Sequence, residues 1–318
     1  MKNNRLALAI PTYNRASILI EDLEVMMNEI RIFSIPVYIS DDSNSEESQI
    51  ILQYLRAIEY PYIYYYHNEP GLGHDRNCIR TLSLTTEDYT WYLGDSAIIK
   101  NGGISKVLMV IDSFDADFIS VNVAGRKLDL PNNLFDNGNE LLLELGWHLT
   151  QTGATIYSRR SLNALSDIDL SKCKNFPQTF LIFQTFVSKK SSLYWINEKL
   201  VFGNPHKQSY WNAKVFDIFL KDWHDCMMNL PNHYLLSNKI AAYKRHNLMT
   251  GLFNLVKMVG YRLKGIYDFS IFKKFCTMLR ESSSVPVLIL FVLSIMPTVI
   301  LNSLFKAYKF FFELPKYK

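Results

Sequence analysis

Four short apolar runs, LALAI (6–10), VYIS (37–40), YIYYYH (62–67) and YTWYL (89–93), recur at intervals of about 25–30 residues. All are rich in the β-branched and aromatic residues that suit a buried pleated surface. Between the first two, Leu19, Leu23, Met26 and Ile30 repeat at helical spacing. Ser43 and Glu46 form a candidate capping box before SQIILQYLRAI (48–58). Strands alternating with helices at this interval constrain the chain to βαβ units and a mostly parallel sheet, hence an α/β fold. ISKVLMVIDSF (104–114) predicts a further helix, and DFISVNV (117–123) and ATIYS (154–158) two further strands. Pro11 is expected to end the first strand. Residues 160–250 read as a mixed, mainly helical half, and no internal repeat is visible.

In an open α/β sheet the ligand lies in the crevice beyond the carboxyl ends of the strands. The segments there are PTYNR (11–15), DDSNS (41–45), NEPGLGHDRN (68–77) and GDSA (94–97). Each has an ordinary reading as well as a functional one. Asn14 can cap a helix, as can Asp42 or Ser43; Gly71 and Gly73 can make a tight turn; Arg76 can pair with Asp75 on the surface. The lone GxG is not a dinucleotide fingerprint, because Arg76 stands where the third glycine belongs and the motif follows the third strand. Four polar loops are nevertheless expected to converge on one edge, where an aspartate can accept hydrogen bonds from ribose or base and an arginine can meet phosphate.

Cys78, Cys173, Cys226 and Cys276 lack the spacing of a zinc site or a disulfide framework, which points to free thiols. The five apolar residues before Pro11 are too few for a signal-peptide core, so folding is expected to begin in the cytosol.

The order strand–PTYNR, strand–SDDSN, strand–N-x-x-G-x-x-x-x-x-N (Asn68, Gly71, Asn77), strand–LGD resembles family 2 glycosyltransferases of the GT-A fold. Among these it is most similar to the enzymes of O-antigen and capsule assembly, including the abequosyltransferase-like group. The resemblance is clear over residues 5–125, weak over 126–250 and absent beyond. It implies a nucleoside-diphosphate sugar as donor, with Pro11, Thr12, Asn14 and Arg15 beside the nucleotide. Asp41 and Asp42 would contact base or ribose, and Asp75 and Arg76 would lie near the diphosphate.

Where that group carries LGDDD, this chain reads Leu93, Gly94, Asp95, Ser96, Ala97. The resemblance implies Mg²⁺ or Mn²⁺ bound by Asp95, a hard cation that needs oxygen ligands and withdraws charge from the leaving diphosphate. With one carboxylate of three, Asp95 could hold the metal alone or with Ser96, Asp75 and water. Alternatively, Arg15, Arg76 or Arg126 could stabilise the leaving group without metal, or the chain could be a catalytically inactive relative that binds nucleotide or a partner. An inverting transfer also needs a base, usually a carboxylate. KNFPQTFLIF (174–183), where relatives place it, has none, leaving His148 and Asp225 as candidates. Glu140, Glu144 and His148 could share a helix face, while Trp211 and Trp223 could be sugar platforms or core.

Residues 251–318 hold ten basic and three acidic residues, against 24 and 27 in the first 250. VPVLILFVLSIMPTVIL (285–301) is apolar over a length at the short limit for a membrane span. Ser294, Thr298, Asn302 and Lys306 suggest a narrow polar stripe, with Lys309 and Phe310–Phe312 at its rim and Pro286 and Pro297 starting and kinking the helix. So long an apolar run argues against nucleic acid as partner. A helix packed on the protein's own core is the competing reading. The expected organisation is a nucleotide-sugar half (1–125), an acceptor-side half (126–250) and a basic, apolar membrane-docking segment (251–318). This places the enzyme on the cytoplasmic face of the cell membrane, peripheral or monotopic. With the resemblance, it implies sugar transfer to a polyprenyl-diphosphate-linked acceptor in surface-polysaccharide assembly.

Overall fold

The computed structural model describes residues 1–188, 190–207 and 213–303. The first half alternates as the apolar runs predict: β1 (Leu6–Thr12), α1 (Ala16–Ile32), β2 (Val37–Asp41), α2 (Ser45–Ala57), β3 (Ile63–His67), α3 (His74–Leu84), β4 (Tyr89–Tyr92), β5 (Ala97–Ile99), α4 (Gly103–Ser113) and β6 (Phe118–Val123). There follow β7 (Asn133–Phe135), α5 (Gly138–Leu145), β8 (Thr155–Ser158), the one-turn α6 (Arg159–Leu162), α7 (Pro177–Ser188) and β9 (Leu193–Gly203). A π-helical segment, Asp217–Asp222, leads into α8 (Trp223–Met228). α9 (Leu236–Thr250), α10 (Leu255–Leu263), α11 (Phe269–Ser282) and α12 (Val287–Ile295) complete the chain.

The sheet order is β3-β2-β1-β4-β8-β6-β9-β5, with β7 on β9. β1, β2, β3 and β4 run parallel, and β8 enters antiparallel between β4 and β6. Side chains alternate across it. Leu6, Leu8 and Ile10 join α1, α2 and α4 in one core, whereas Ala9 joins α3, α5, α7, α8 and α9 in the other. Helices thus cover both faces, which is why the strands read as continuous apolar runs.

Two strand expectations need correction. β1 continues through Pro11, which pairs in register with Ser40. Beyond Ala9, β1 has β2 alone as a partner, so the N–H missing from Pro11 costs no ladder bond. The supposedly helical stretch 160–250 contains β9, whose eleven residues pair with β5, β6 and β7.

The tail forms a core of its own, as the competing reading has it, and its last helices start and break at Pro286 and Pro297 as expected. α10, α11 and α12 pack on one another and on Val215, Phe216 and Leu220, forming a third core around Phe253, Met258, Tyr267, Phe275 and Leu290. The apolar run is broken: α12 starts after Pro286, ends at Ile295, and helix resumes only past Pro297. Among the described residues no helix is long and apolar enough to cross a membrane. Ser294 is buried and donates to Phe291 O, so this member of the predicted polar stripe faces inward. Leu288, Ile289, Phe291, Val292 and Ile295 face outward. Lys306, Lys309 and Phe310–Phe312 lie outside the described residues.

Candidate active site

The loops after β1 and β2 interlock. Asn14 takes a left-handed φ of 51°, which asparagine tolerates. Its N–H donates to Ser43 Oγ (2.7 Å) and its Oδ1 accepts from Asn44 N–H (3.1 Å). Asn14 therefore joins two loops and does not cap α1; the first N–H of that helix, Ala16, donates to Glu47 Oε2 (2.7 Å). With Ser43 so engaged, the cap of α2 moves to Asn44, which accepts from Glu47 N–H (3.1 Å).

Asp41 and Asp42 behave differently. Asp41 is fully buried and accepts from Ser43 N–H, Ser48 Oγ and Tyr65 Oη at 2.8, 2.7 and 2.6 Å. Expected beside base or ribose, it instead braces β2 against β3 and α2. Asp42 accepts from Asn68 Nδ2 (2.8 Å) and Gly73 N–H (2.7 Å), which hangs the third loop on the second. A Cβ on Gly71 would lie 3.3 Å from Asp42 O, and Gly73 has φ +79°, so both glycines serve this close approach.

α3 opens at the same edge. Asp75, in its first turn, accepts from Asn175 N–H on both oxygens (3.0 and 3.1 Å) and contacts His74 Nδ1 at 2.7 Å. The pairing of Arg76 with Asp75 does not form. Arg76 is exposed and makes no ion pair among the described residues.

Asp95 lies at the end of β4, 9% exposed. Arg15 Nη1 donates to its Oδ1 (2.9 Å) and Thr12 Oγ1 to its Oδ2 (3.2 Å). Burial pushes its pKa up, and Arg15 and Thr12 pull it back. Thr12, Asn14, Arg15, Asp42, Asp75, Arg76 and Asp95 thus stand on successive loops at the carboxyl edge of one parallel unit. Residues 7–162 match the model of "Glycosyl transferase family 2". These residues form a family 2 glycosyltransferase domain.

A curated relative is the abequosyltransferase RfbV of Salmonella typhimurium, 23% identical over 228 residues, which are 64% of this chain and 68% of that protein. Among solved structures, residues 1–349 of TarS from S. aureus with UDP-GlcNAc superpose with a TM-score of 0.59 at 12% identity, covering 87% of this chain and 81% of that one. The mannosyltransferase PcManGT of Pyrobaculum calidifontis, in complex with GDP-Man and Mn²⁺, gives 0.55 at 9% identity, covering 99% and 89%. At such identities the likeness establishes the GT-A fold alone, and the enzyme class follows from the family match and the curated relative.

The residues of this glycosyltransferase do not fit a divalent cation well. Such an ion takes oxygen ligands, usually with more than one carboxylate. Here both oxygens of Asp95 are engaged, a guanidinium sits where a second cation would be repelled, and Ser96 and Ala97 add no carboxylate. Among the described residues no group of three or more His, Cys, Asp or Glu side chains is arranged to hold a metal.

Neither expected base stands in this cleft as a free group. His148 is fully buried and donates Nε2–H to Val121 O (2.9 Å), and burial with the Arg126 charge lowers its pKa to about 3. It is a neutral core residue. Asp225 is tied on the surface of α8 to Lys221 (2.9 Å) and His224 (3.2 Å). Glu144 pairs with Arg245 (3.2 Å), and α5 ends before His148, so the expected shared face is not formed. Arg126 lies over the Trp147 ring, donates to Trp147 O and Gln151 Oε1, and lines a groove of about 690 Å³ with Lys100, Lys127 and Asn197. Trp223 is core, packed on Phe176 and His246, while Trp211 lies outside the described residues.

Sequence reading missed three residues beneath Asp95. Asn204 N–H donates to Ser96 O (2.9 Å) and its Nδ2 to Asp22 Oδ1 (2.7 Å), and Lys207 follows in the same turn. The signal available was GNPHK (203–207), a turn sequence directly after an apolar run.

Proposed function

We propose that this glycosyltransferase moves a sugar from a nucleoside-diphosphate donor to a saccharide carried on a polyprenyl diphosphate, with inversion at the anomeric carbon, in assembly of a bacterial O-antigen or capsule. The observation that carries the reading is the set of four interlocked loops that bear Asn14, Asp42, Arg76 and Asp95 at one rim. Likeness to an abequosyltransferase supports the pathway. Asp42 receives the ribose or base, and Arg76, exposed at the start of α3 and without an ion pair among the described residues, reaches the diphosphate.

Of the carboxylates at this edge, Asp41, Asp42 and Asp95 are held by donor-side hydrogen bonds. Asp75 is hydrogen-bonded as well, to Asn175 N–H and His74, but its side chain is 20% exposed while those three are buried, so it is the carboxylate an acceptor hydroxyl can reach. The acceptor hydroxyl oxygen bonds to C1 as the C1–O bond to the β-phosphate breaks. The electron pair leaves on that phosphate oxygen, and the hydroxyl proton passes to Asp75.

The third core carries the membrane contact. Phe269 and Phe272 of α11 meet Phe291 of α12 (6.2 and 5.6 Å between ring centroids), giving a continuous outward apolar surface. Exposed Lys257, Lys264 and Lys273 belong to the same unit. Charge and apolar area suit the anionic cytoplasmic leaflet, where the enzyme docks without spanning.

The full chain, given a panel of UDP-, GDP-, CDP- and dTDP-sugars with polyprenyl-diphosphate saccharides, should release nucleoside diphosphate and yield a lipid product one sugar heavier by mass spectrometry. Asp75→Asn should lower kcat about a hundredfold or more while leaving the donor KM little changed. Failure of every nucleoside diphosphate to bind the native chain overturns the reading.

A further inference from the structure

β9 ends by pairing Gly203 with Ala97, which brings the turn after it against the loop that carries Asp95. Asn204 fastens that turn twice, to Ser96 O and to Asp22 on α1. His206 N–H donates to Asn204 Oδ1 (2.7 Å), and its ring meets Glu21 at 3.1 Å. Lys207 therefore starts from an anchored turn. Its Nζ folds back over the strand end, 3.7 Å from where a Cβ on Gly203 would stand.

The Lys207 ammonium is half-buried, yet it has no hydrogen bond or ion pair among the described residues. Burial and the Arg15 guanidinium lower its pKa, and Asp95 and Asp22 act in the other direction. Leaving a partly desolvated cation unpaired is unfavourable, and an anionic ligand removes the cost. Arg15 lies beside it, held by Asp95 at 2.9 Å.

We propose that Lys207 and Arg15 together receive the donor diphosphate, in the role a divalent cation would otherwise fill. The inference rests on the nucleoside-diphosphate reading above. When the C1–O bond breaks, negative charge grows on the β-phosphate, and two positioned cations stabilise it. Asp95 then has a different task from metal binding: it orients Arg15. Ser96 and Ala97 are tolerable because no further carboxylate is required.

The test is calorimetric titration of the full chain with UDP, GDP, CDP and dTDP and the matching monophosphates, in EDTA and then in Mn²⁺. One diphosphate should bind in EDTA, with affinity changed less than about threefold by Mn²⁺. Lys207→Gln should weaken that diphosphate about tenfold or more, leave the monophosphate nearly unchanged and leave the ligand-free melting temperature unchanged. Lys207→Arg should restore most of the loss. Binding that requires Mn²⁺, or equal losses for mono- and diphosphate in Lys207→Gln, overturns the inference while the proposed function stands. Binding of no nucleotide under either condition overturns the proposed function itself.

Discussion

Asp22 Oδ1 accepts from Asn204 Nδ2, while its Oδ2 is buried with no partner among the described residues. At 1% exposure, burial raises its pKa to about 6, against about 3.9 in an unfolded chain. The folded state thus holds this proton more tightly, so stability falls as pH rises from about 4 to about 6 and stays reduced above. Asp22→Asn keeps an acceptor for Asn204 and removes the charge. Its melting temperature should exceed that of the native protein at pH 7.5, by an amount corresponding to roughly 3 kcal/mol at most, and the difference should vanish near pH 4. Asp22 was not legible as part of the site, because one aspartate on a helix face looks like any solvated residue. Asp42 and Asp95 were legible as edge residues, because each follows a buried strand, although Asp41, read the same way, braces the sheet instead.

Among elements, β9 and α12 depart most from what their residues suggest. The sequence LYWINEKLVFG interrupts its apolar alternation with Asn197, Glu198 and Lys199, where the pairing with β6 shifts register between Val121 and Val123. A bulge of this kind hides a strand from pattern reading. In α12 the composition was read correctly and the orientation was not: Leu290, Leu293 and Ser294 face the third core, and Leu288 (69% exposed) and Ile295 (52%) face out. Vesicles containing anionic phospholipid should co-sediment the native chain. The double variant Leu288→Asp, Ile295→Asp should bind at least about tenfold less at an unchanged melting temperature. Alkaline carbonate should release the bound protein. Native protein that ignores the vesicles, or a variant that binds them equally, would remove the docking surface from the account.

At the scale of the whole molecule, two buried histidines tie stability to pH. His148 and His246 are 0% and 1% exposed, and burial followed by the Arg126 charge lowers both pKa values to about 3. An unfolded histidine titrates near 6.5. Below that pH the unfolded chain takes up protons that the folded one refuses until about pH 3, so this stability is fully present above 6.5 and is lost as pH falls. Each histidine loses about 1.4 kcal/mol per pH unit in that window, and Asp22 offsets part of the loss. Melting curves from pH 7 to 4.5 should shift steadily downward, and His148→Gln, which retains a donor for Val121 O, should flatten the slope. A melting temperature that stays level over that range would contradict the neutral, buried state of both rings.

The amino-acid sequence determined the parallel unit, the helices that cover it and the four loops at its edge, since these follow from local periodicity and from polar residues placed directly after buried runs. Only the tertiary structure decided that Asp95 is held by Arg15, that Asp75 rests against Asn175, and that Lys207 arrives from a strand about 110 residues further along the chain. Periodicity reports which face of one segment is buried. It carries no information about which distant side chain fills the space above that face, because such a contact depends on sheet order and register, and those are properties of the assembled fold.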